Sequence, residues 1–359
     1  MQLLAMHMAN ELLTLPVAGV TLALGAGAVA LAAKLASRKL SPEKLPLMGV
    51  MGAFVFAAQM INFTLPLMPG TSGHLGGGVL LAILLGPWAG IVAMAGILIV
   101  QCLLFQDGGL LALGCNIINM GVVPCLLGWG IYRAMLGRAV NVPAWRQYLS
   151  AYVACTIGVV AGASLVPVEA SIAGVLRVPF GDFLGVMAGV HLLIGLVEGA
   201  ITFAVLAYLR RVRPGYLGLA QPAGAGALSH KAVLASLLVT AGLLAGMVSW
   251  LASTHEDGLE WSVAQKYGQV QGAVDNNDPA VVAVSAVQAR FSPLPDYSIR
   301  TAPQSEAQSP KETSADVQQA SQWPNVSGWG SLAGLIGTAV TLTGLYACGR
   351  LLRRRDQLV

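Results

Sequence analysis

With 56% hydrophobic residues, 10% charged residues and a mean hydropathy of +0.71, a chain of 359 residues carries more apolar surface than one soluble core can hide. The formal net charge of +4 comes from short basic clusters beside apolar runs, as topology signals do, so it implies no nucleic-acid partner. Five cysteines, all inside apolar runs and without a CxxC pair, argue against a disulfide framework or a thiolate zinc site. What remains is an all-α, polytopic membrane protein.

Residues 1–5 are too short for a secretory signal, whose apolar region needs roughly 7–15 residues, and read as a leader remnant or a misassigned start. Runs long enough for a bilayer, which takes ~20 residues, lie at about 11–34, 46–65, 109–132, 148–168, 183–209, 231–251 and 329–349. The longer stretch 76–105 is interrupted by Leu85-Gly86-Pro87 and reads as two helices, the first short, because proline cannot continue helical hydrogen bonding without a kink. The expectation is a seven-helix membrane domain over 6–213, a cytoplasmic Pro/Gly/Ala-rich linker over 214–230, and a region 231–359 whose two helices flank a polar loop. That loop, 252–328, holds nine of the sixteen acids against four bases and is rich in Ser, Gln, Pro and Ala. Most of it after about Asn276 is expected to be poorly ordered. Basic residues cluster in 34–44, 133–146, 210–231 and 350–355, which places these segments on the cytoplasmic side of the inner membrane and the amino terminus and loop 252–328 outside.

Polar chemistry is sparse. Thr71-Ser72-Gly73-His74-Leu75-Gly76-Gly77-Gly78 bends the chain between apolar segments and presents one imidazole; Met6-His7-Met8 presents another at the amino-terminal opening. Imidazoles suit nickel, cobalt, copper and zinc. If the chain starts at Met6, its amine, the His7 amide and a His7 ring nitrogen can form fused chelate rings, with His74 completing a square that favours Ni(II) or Cu(II). The alternative is a stray terminal histidine and a loop histidine bonded to backbone, and spacing alone does not choose. Gln59 and Asn62, at i and i+3 on the outer end of the second helix, either orient a metal-binding histidine or bond between helices. Asp107-Gly108-Gly109, Asn116 and Asn119 line the same outer cavity, with Ser72, or serve turns and packing. His191 and Glu198 are seven apart on one helix face and form either a transport pair or a structural polar pair. Small residues at four-residue spacing in the first helix (Ala28, Ala32, Ala36; Ala26, Ala30) permit close approach, by a membrane partner or within the chain. The chain has no GxxxxGK[ST], HExxH or GxSxG, so an enzyme of those kinds is not expected, and active transport would draw energy from a partner or an ion gradient.

Several longer runs resemble the CbiM/NikM substrate-capture components of energy-coupling factor (ECF) transporters for nickel and cobalt: Met6-His7-Met8, Pro46-Leu47-Met48-Gly49-Val50 on to Gln59-Met60-Ile61-Asn62-Phe63, Ser72-Gly73-His74, Gly114-Cys115-Asn116, and His191 to Glu198-Gly199. Asp257-Gly258-Leu259-Glu260-Trp261 resembles the PDGLEW-type sequence of the small auxiliary component CbiN or NikN, with Glu256 in place of proline. The resemblance implies a fusion of the two. It also implies that Ni2+ or Co2+ is substrate rather than cofactor, held by the Met6 amine, the His7 amide and ring nitrogens and His74. A membrane coupling (T) subunit and a pair of ATPase (A) subunits are the implied partners. Nickel is favoured by the NikN-like part and the planar nitrogen set. The five residues before Met6 depart from the family pattern, and with them attached no terminal amine reaches His7. A proton-coupled carrier using His191 and Glu198 is the rival expectation.

Overall fold

The computed structural model of the protein describes residues 7–65, 67–68, 70–137, 142–219, 228–253, 255, 258, 278–298, 324 and 326–356. In chain order these build α1 (Leu15–Ser37), α2 (Lys44–Gln59), α3 (Gly78–Leu85), α4 (Pro87–Phe105), α5 (Leu113–Leu136), α6 (Ala144–Ala173), α7 (Phe180–Val212), α8 (His230–Gly246), α9 (Pro279–Phe291) and α10 (Gly328–Asp356). Between α2 and α3 a short antiparallel ladder pairs β1 (Phe63–Thr64) with β2 (Ser72–Gly73). Six helices, α1, α4, α5, α6, α7 and α10, are long and apolar enough to cross a membrane. The chain is an all-α, multi-pass membrane protein.

The breaks follow local chemistry. Gly86 donates to Ala82 to close α3, and Pro87, whose fixed φ suits a first turn, opens α4. Asp182 near the start of α7 and Arg210 and Arg211 at its end complement the helix dipole. Ser229 caps α8 by accepting from the Ala232 amide at 3.1 Å. The last turn of α4, Gln101–Phe105, widens to π geometry, and the Asp107 amide donates back to the Gln101 carbonyl. This folds Asp107 inward off the end of a membrane helix.

Two expectations change. The second helix ends at Gln59, not near residue 65, because the chain turns there into β1; Asn62 therefore lies beyond the helix and does not share a face with Gln59. Residues 278–298, expected within a poorly ordered loop, include α9 and a following turn, Pro295–Tyr297. Asp278 caps α9 through the Ala280 amide and Pro279 begins it, a start signal that loop composition masks.

The carboxyl-terminal region interlocks with the bundle. A Cβ added at Gly52 of α2 or Gly96 of α4 would run into Leu345 of α10, and one at Gly337 of α10 would run into Phe56. These glycine notches let the helix backbones approach closely. In α1, Ala32 and Ala36 face the bundle while Ala26 and Ala30 are exposed, so part of the small-residue stripe packs within the chain.

Candidate metal centre

The segment leading into α1 is deeply buried although it is irregular. His7, Met8, Ala9, Asn10, Leu12 and Leu13 are each 7% exposed or less, lying against α5 and the loop after α4. Asn116 clamps Met8 from both sides: its Oδ1 accepts from the Met8 amide at 3.0 Å and its Nδ2 donates to the Met8 carbonyl at 3.1 Å. Gly109 donates to the same carbonyl at 3.0 Å. Gly108, at φ +89°, lies where a Cβ would sit 3.0 Å from His7 Cβ, so only glycine lets this loop close over the strand.

The ring of His7 is held on one side. Its Nδ1 lies 2.7 Å from Asp107 Oδ1, and Asp107 Oδ2 accepts from the Tyr297 hydroxyl at 2.8 Å. Burial alone pushes the Asp107 carboxyl up, but the charge and hydrogen bond of His7 and the Tyr297 hydroxyl together hold it below the ordinary carboxylate range. Asp107 thus occupies the Nδ1 side of the ring and leaves Nε2 on the other. That Nε2 is buried and has no hydrogen-bond partner among the described residues. The His74 ring lies beside that of His7, tilted by 47° with centroids 5.3 Å apart. Carboxylates commonly stand behind metal-ligating imidazoles, and His7 has one behind it.

His74 sits on the ladder's exit, and its Nδ1 lies 3.2 Å from the Leu75 carbonyl. The glycines after it are held from α7: Glu198 accepts from the Gly76 amide at 2.8 Å and from the Gly77 amide at 3.1 Å. Gly77 has φ +79° and precedes α3, so a bare turn brings these amides onto one carboxylate. Gln59 is fully buried and supports the same loop, its Nε2 donating to the Gly76 carbonyl at 2.9 Å and its Oε1 accepting from Gln101 at 3.1 Å.

Other candidates are placed as follows. Ser72 Oγ donates to the His255 carbonyl at 2.9 Å. Asn62 Oδ1 is buried without a hydrogen-bond partner among the described residues, and its carbonyl accepts from the Ser253 amide at 2.7 Å. Asn119 donates to Glu169 at 2.7 Å. His191 Nδ1 lies 2.9 Å from the Met187 carbonyl, one turn back, so His191 and Glu198 are each engaged elsewhere. Both still face a cavity of about 90 Å³ shared with His7, His74, Asn116 and Met187. Gly258 packs on His191 and Ile194 of α7. Met6, Asp257, Leu259, Glu260 and Trp261 lie outside the described residues. No group of three or more His, Cys, Asp or Glu fit to hold a metal occurs among the described residues, so His7 and His74 need backbone or terminal donors to complete a ligand set.

Three residues of the site come from outside the first 213 and escape a reading of the sequence. Gln288 of α9 accepts from Asn10 at 3.0 Å and from the Leu110 amide at 2.9 Å, and donates to the Gly108 carbonyl at 2.8 Å. Ser285 accepts from Asn10 at 3.0 Å. Tyr297 stacks on Phe105 at 4.5 Å. The one signal for them is an Asp-Pro helix start and a Pro-bounded aromatic inside an otherwise bland polar loop.

Comparison with known proteins follows the same division. Residues 7–216 match the CbiM family, described as the cobalt uptake substrate-specific transmembrane region, and residues 231–354 match the PDGLE domain. A cobalt transport protein CbiM of Geobacter sulfurreducens is 30% identical over 296 residues, covering 77% of this chain and 81% of that protein. A fused nickel transport protein NikMN of Rhodobacter capsulatus is 34% identical over 195 residues, covering 50% of this chain and 54% of that protein. The chain thus matches only about half the length of that fused relative. The crystal structure of a transition metal transporter is similar at 31% identity with a TM-score of 0.50, covering 57% of this chain and 92% of that one. The match over 7–216, followed by the match over 231–354, leads to one conclusion: this chain belongs to the CbiM family, with a PDGLE, CbiN-like component fused behind it.

Proposed function

We propose that this protein captures Ni2+ or Co2+ between His7 and His74 at the outer face of the cytoplasmic membrane, and releases it inward when a membrane coupling subunit and ATPase subunits drive the bundle to reorient. The observation that carries the reading is the buried Nε2 of His7, without a hydrogen-bond partner among the described residues, on a ring backed by Asp107 and beside the ring of His74. The transport names of the relatives support the cargo. Nickel is preferred over cobalt because nitrogen donors in a plane suit Ni(II). The basic residues gather at the opposite end from His7: Arg210 donates to Gln147 and to the Val142 carbonyl, and Arg146 to the Met135 carbonyl. That end is the cytoplasmic one by the distribution of positive charge.

The remaining donors depend on where the mature chain starts. A chain beginning at Met6 adds its amine and the His7 amide. In that fused chelate the ring nitrogen is Nδ1, the only one near enough to its own amide to close a ring through the metal, so Asp107 must release it. With residues 1–5 attached, Nε2 is the donor. Full-length protein purified with nickel tests the reading: His7→Ala and His74→Ala each lose bound metal, and retention of metal by both variants overturns it. The rival carrier is disfavoured by Glu198, whose oxygens both serve the loop of His74. Its distinguishing test is uptake by the chain without partners, sensitive to an uncoupler.

A further inference from the structure

We infer that the end of the bundle opposite His7 carries a binding site for the headgroup of an anionic phospholipid, in a cavity between the ends of α1, α2, α4 and α5. The inference does not rest on the capture reading above. The cavity holds about 700 Å³, within the roughly 300–1,000 Å³ of pockets that take small molecules. The break between α3 and α4 leaves room for it. Gly86 stands at that break with φ +93°, a Cβ added there would meet nothing within 4 Å, and Pro87 begins α4. Three cations line the space: Lys39 from the turn after α1, Lys44 from the first residue of α2, and Arg133 from the last turn of α5.

The fold does not use these cations. At the same end Arg210 is committed to Gln147 and the Val142 carbonyl, and Arg146 to the Met135 carbonyl. The side chains of Lys39, Lys44 and Arg133, by contrast, form no hydrogen bond or ion pair with any described residue. Segment 34–44 holds four bases and one acid, Glu43, which is exposed and does not line the cavity. Basic pockets between membrane helices recognise anionic headgroups through such charge. The rest of the lining selects a lipid over a free anion. Trp88 at the start of α4 and Trp129 of α5 stand half-buried along the cavity, and tryptophan favours the boundary between membrane and water. Trp129 and Arg133 are four apart on one helix, so indole and guanidinium are presented on one face. Leu126, two turns back from Arg133, also lines the cavity and is 37% exposed. The basic site therefore runs onto apolar surface, where a phosphodiester at the cations would lay its acyl chains; a soluble phosphate would use the basic part alone.

Native mass spectrometry of the full-length protein in detergent, titrated with short-chain phosphatidylglycerol, tests the site. Phosphatidylcholine with the same chains and glycerol phosphate without chains are the comparisons. One phosphatidylglycerol is expected to be retained, with weaker binding of both comparison molecules. Each Lys or Arg beside an anionic lipid is worth about fivefold in affinity, so Lys39→Gln with Arg133→Gln should weaken phosphatidylglycerol by about 25-fold. Lys34→Gln with Arg38→Gln, which removes two charges of the same end that do not line the cavity, should leave it unchanged. Lys39→Arg with Arg133→Lys keeps both charges and should bind as wild type; loss of lipid there overturns the inference, whatever the fold of the neutral variant. Equal binding of phosphatidylcholine, equal binding of glycerol phosphate, or equal losses in the two glutamine variants also overturns it. So does a neutral cavity variant that binds phosphatidylglycerol normally but no longer copurifies with a membrane coupling subunit, an outcome that assigns this face to protein docking.

Discussion

Two polar pairs line one cavity, and they are treated in opposite ways. Near the amino terminus, His7 has a buried ring nitrogen with no hydrogen-bond partner among the described residues and a carboxylate behind it; on α7, Glu198 accepts from two backbone amides and His191 is turned to its own helix. A buried polar atom left unpaired costs about 1–3 kcal/mol, so it persists where a ligand repays the cost. Under the proposed function His7 and His74 bind the metal, while Glu198 holds the loop on which His74 rides. Lining a cavity is a poor guide to binding; the state of each lone pair is a better one.

The comparison breaks most sharply at the ligands. His7→Ala and His74→Ala are expected to weaken Ni2+ by more than ~100-fold in a dialysis titration, beyond the roughly 10–100-fold that removing a supporting group brings. Asp107→Asn falls within that range, because it removes the carboxylate that holds the His7 ring. Glu198→Ala acts on the fold first: it strands the Gly76 and Gly77 amides at about 1–3 kcal/mol each, and a clear drop in Tm with a smaller change in nickel affinity is the expected signature. His191→Ala is the smallest, leaving nickel affinity unchanged; a loss as large as that of His74→Ala would reverse the assignment of the two pairs. Acid sharpens the same contrast. Protons compete with the metal for imidazole lone pairs, so nickel retention should rise with pH through the range in which histidines lose their charge, ~6.5 for an unperturbed ring.

Much of this architecture is legible in the sequence alone. The break at Gly86-Pro87 follows from a residue whose local chemistry has one reading, since proline lacks a donor, and His7 draws notice because a polar residue amid apolar ones needs a reason. His74 and Glu198 stand out for the same cause. What is not legible depends on contacts between distant segments. Gln59 and Asn62 look like one face because periodicity does not reveal that the helix stops at Gln59. Asp107 is visible as part of a turn, but its pairing with His7 spans 100 residues. Gln288 and Tyr297 sit in a stretch whose composition suggests little order, and only the packing of α9 on the loop after α4 gives them partners. Composition averages over a window; a single buried glutamine with five side-chain hydrogen bonds does not survive the averaging.

Nickel K-edge X-ray absorption on the metal-loaded, full-length protein tests the central claim most directly, with the intact mass of the same sample fixing its amino terminus. Two imidazoles among the nitrogen donors around the metal are predicted, with one lost in His74→Ala at saturating nickel. A shell with no imidazole, or one unaltered by His74→Ala, would contradict the account and move the search to His191 and Glu198.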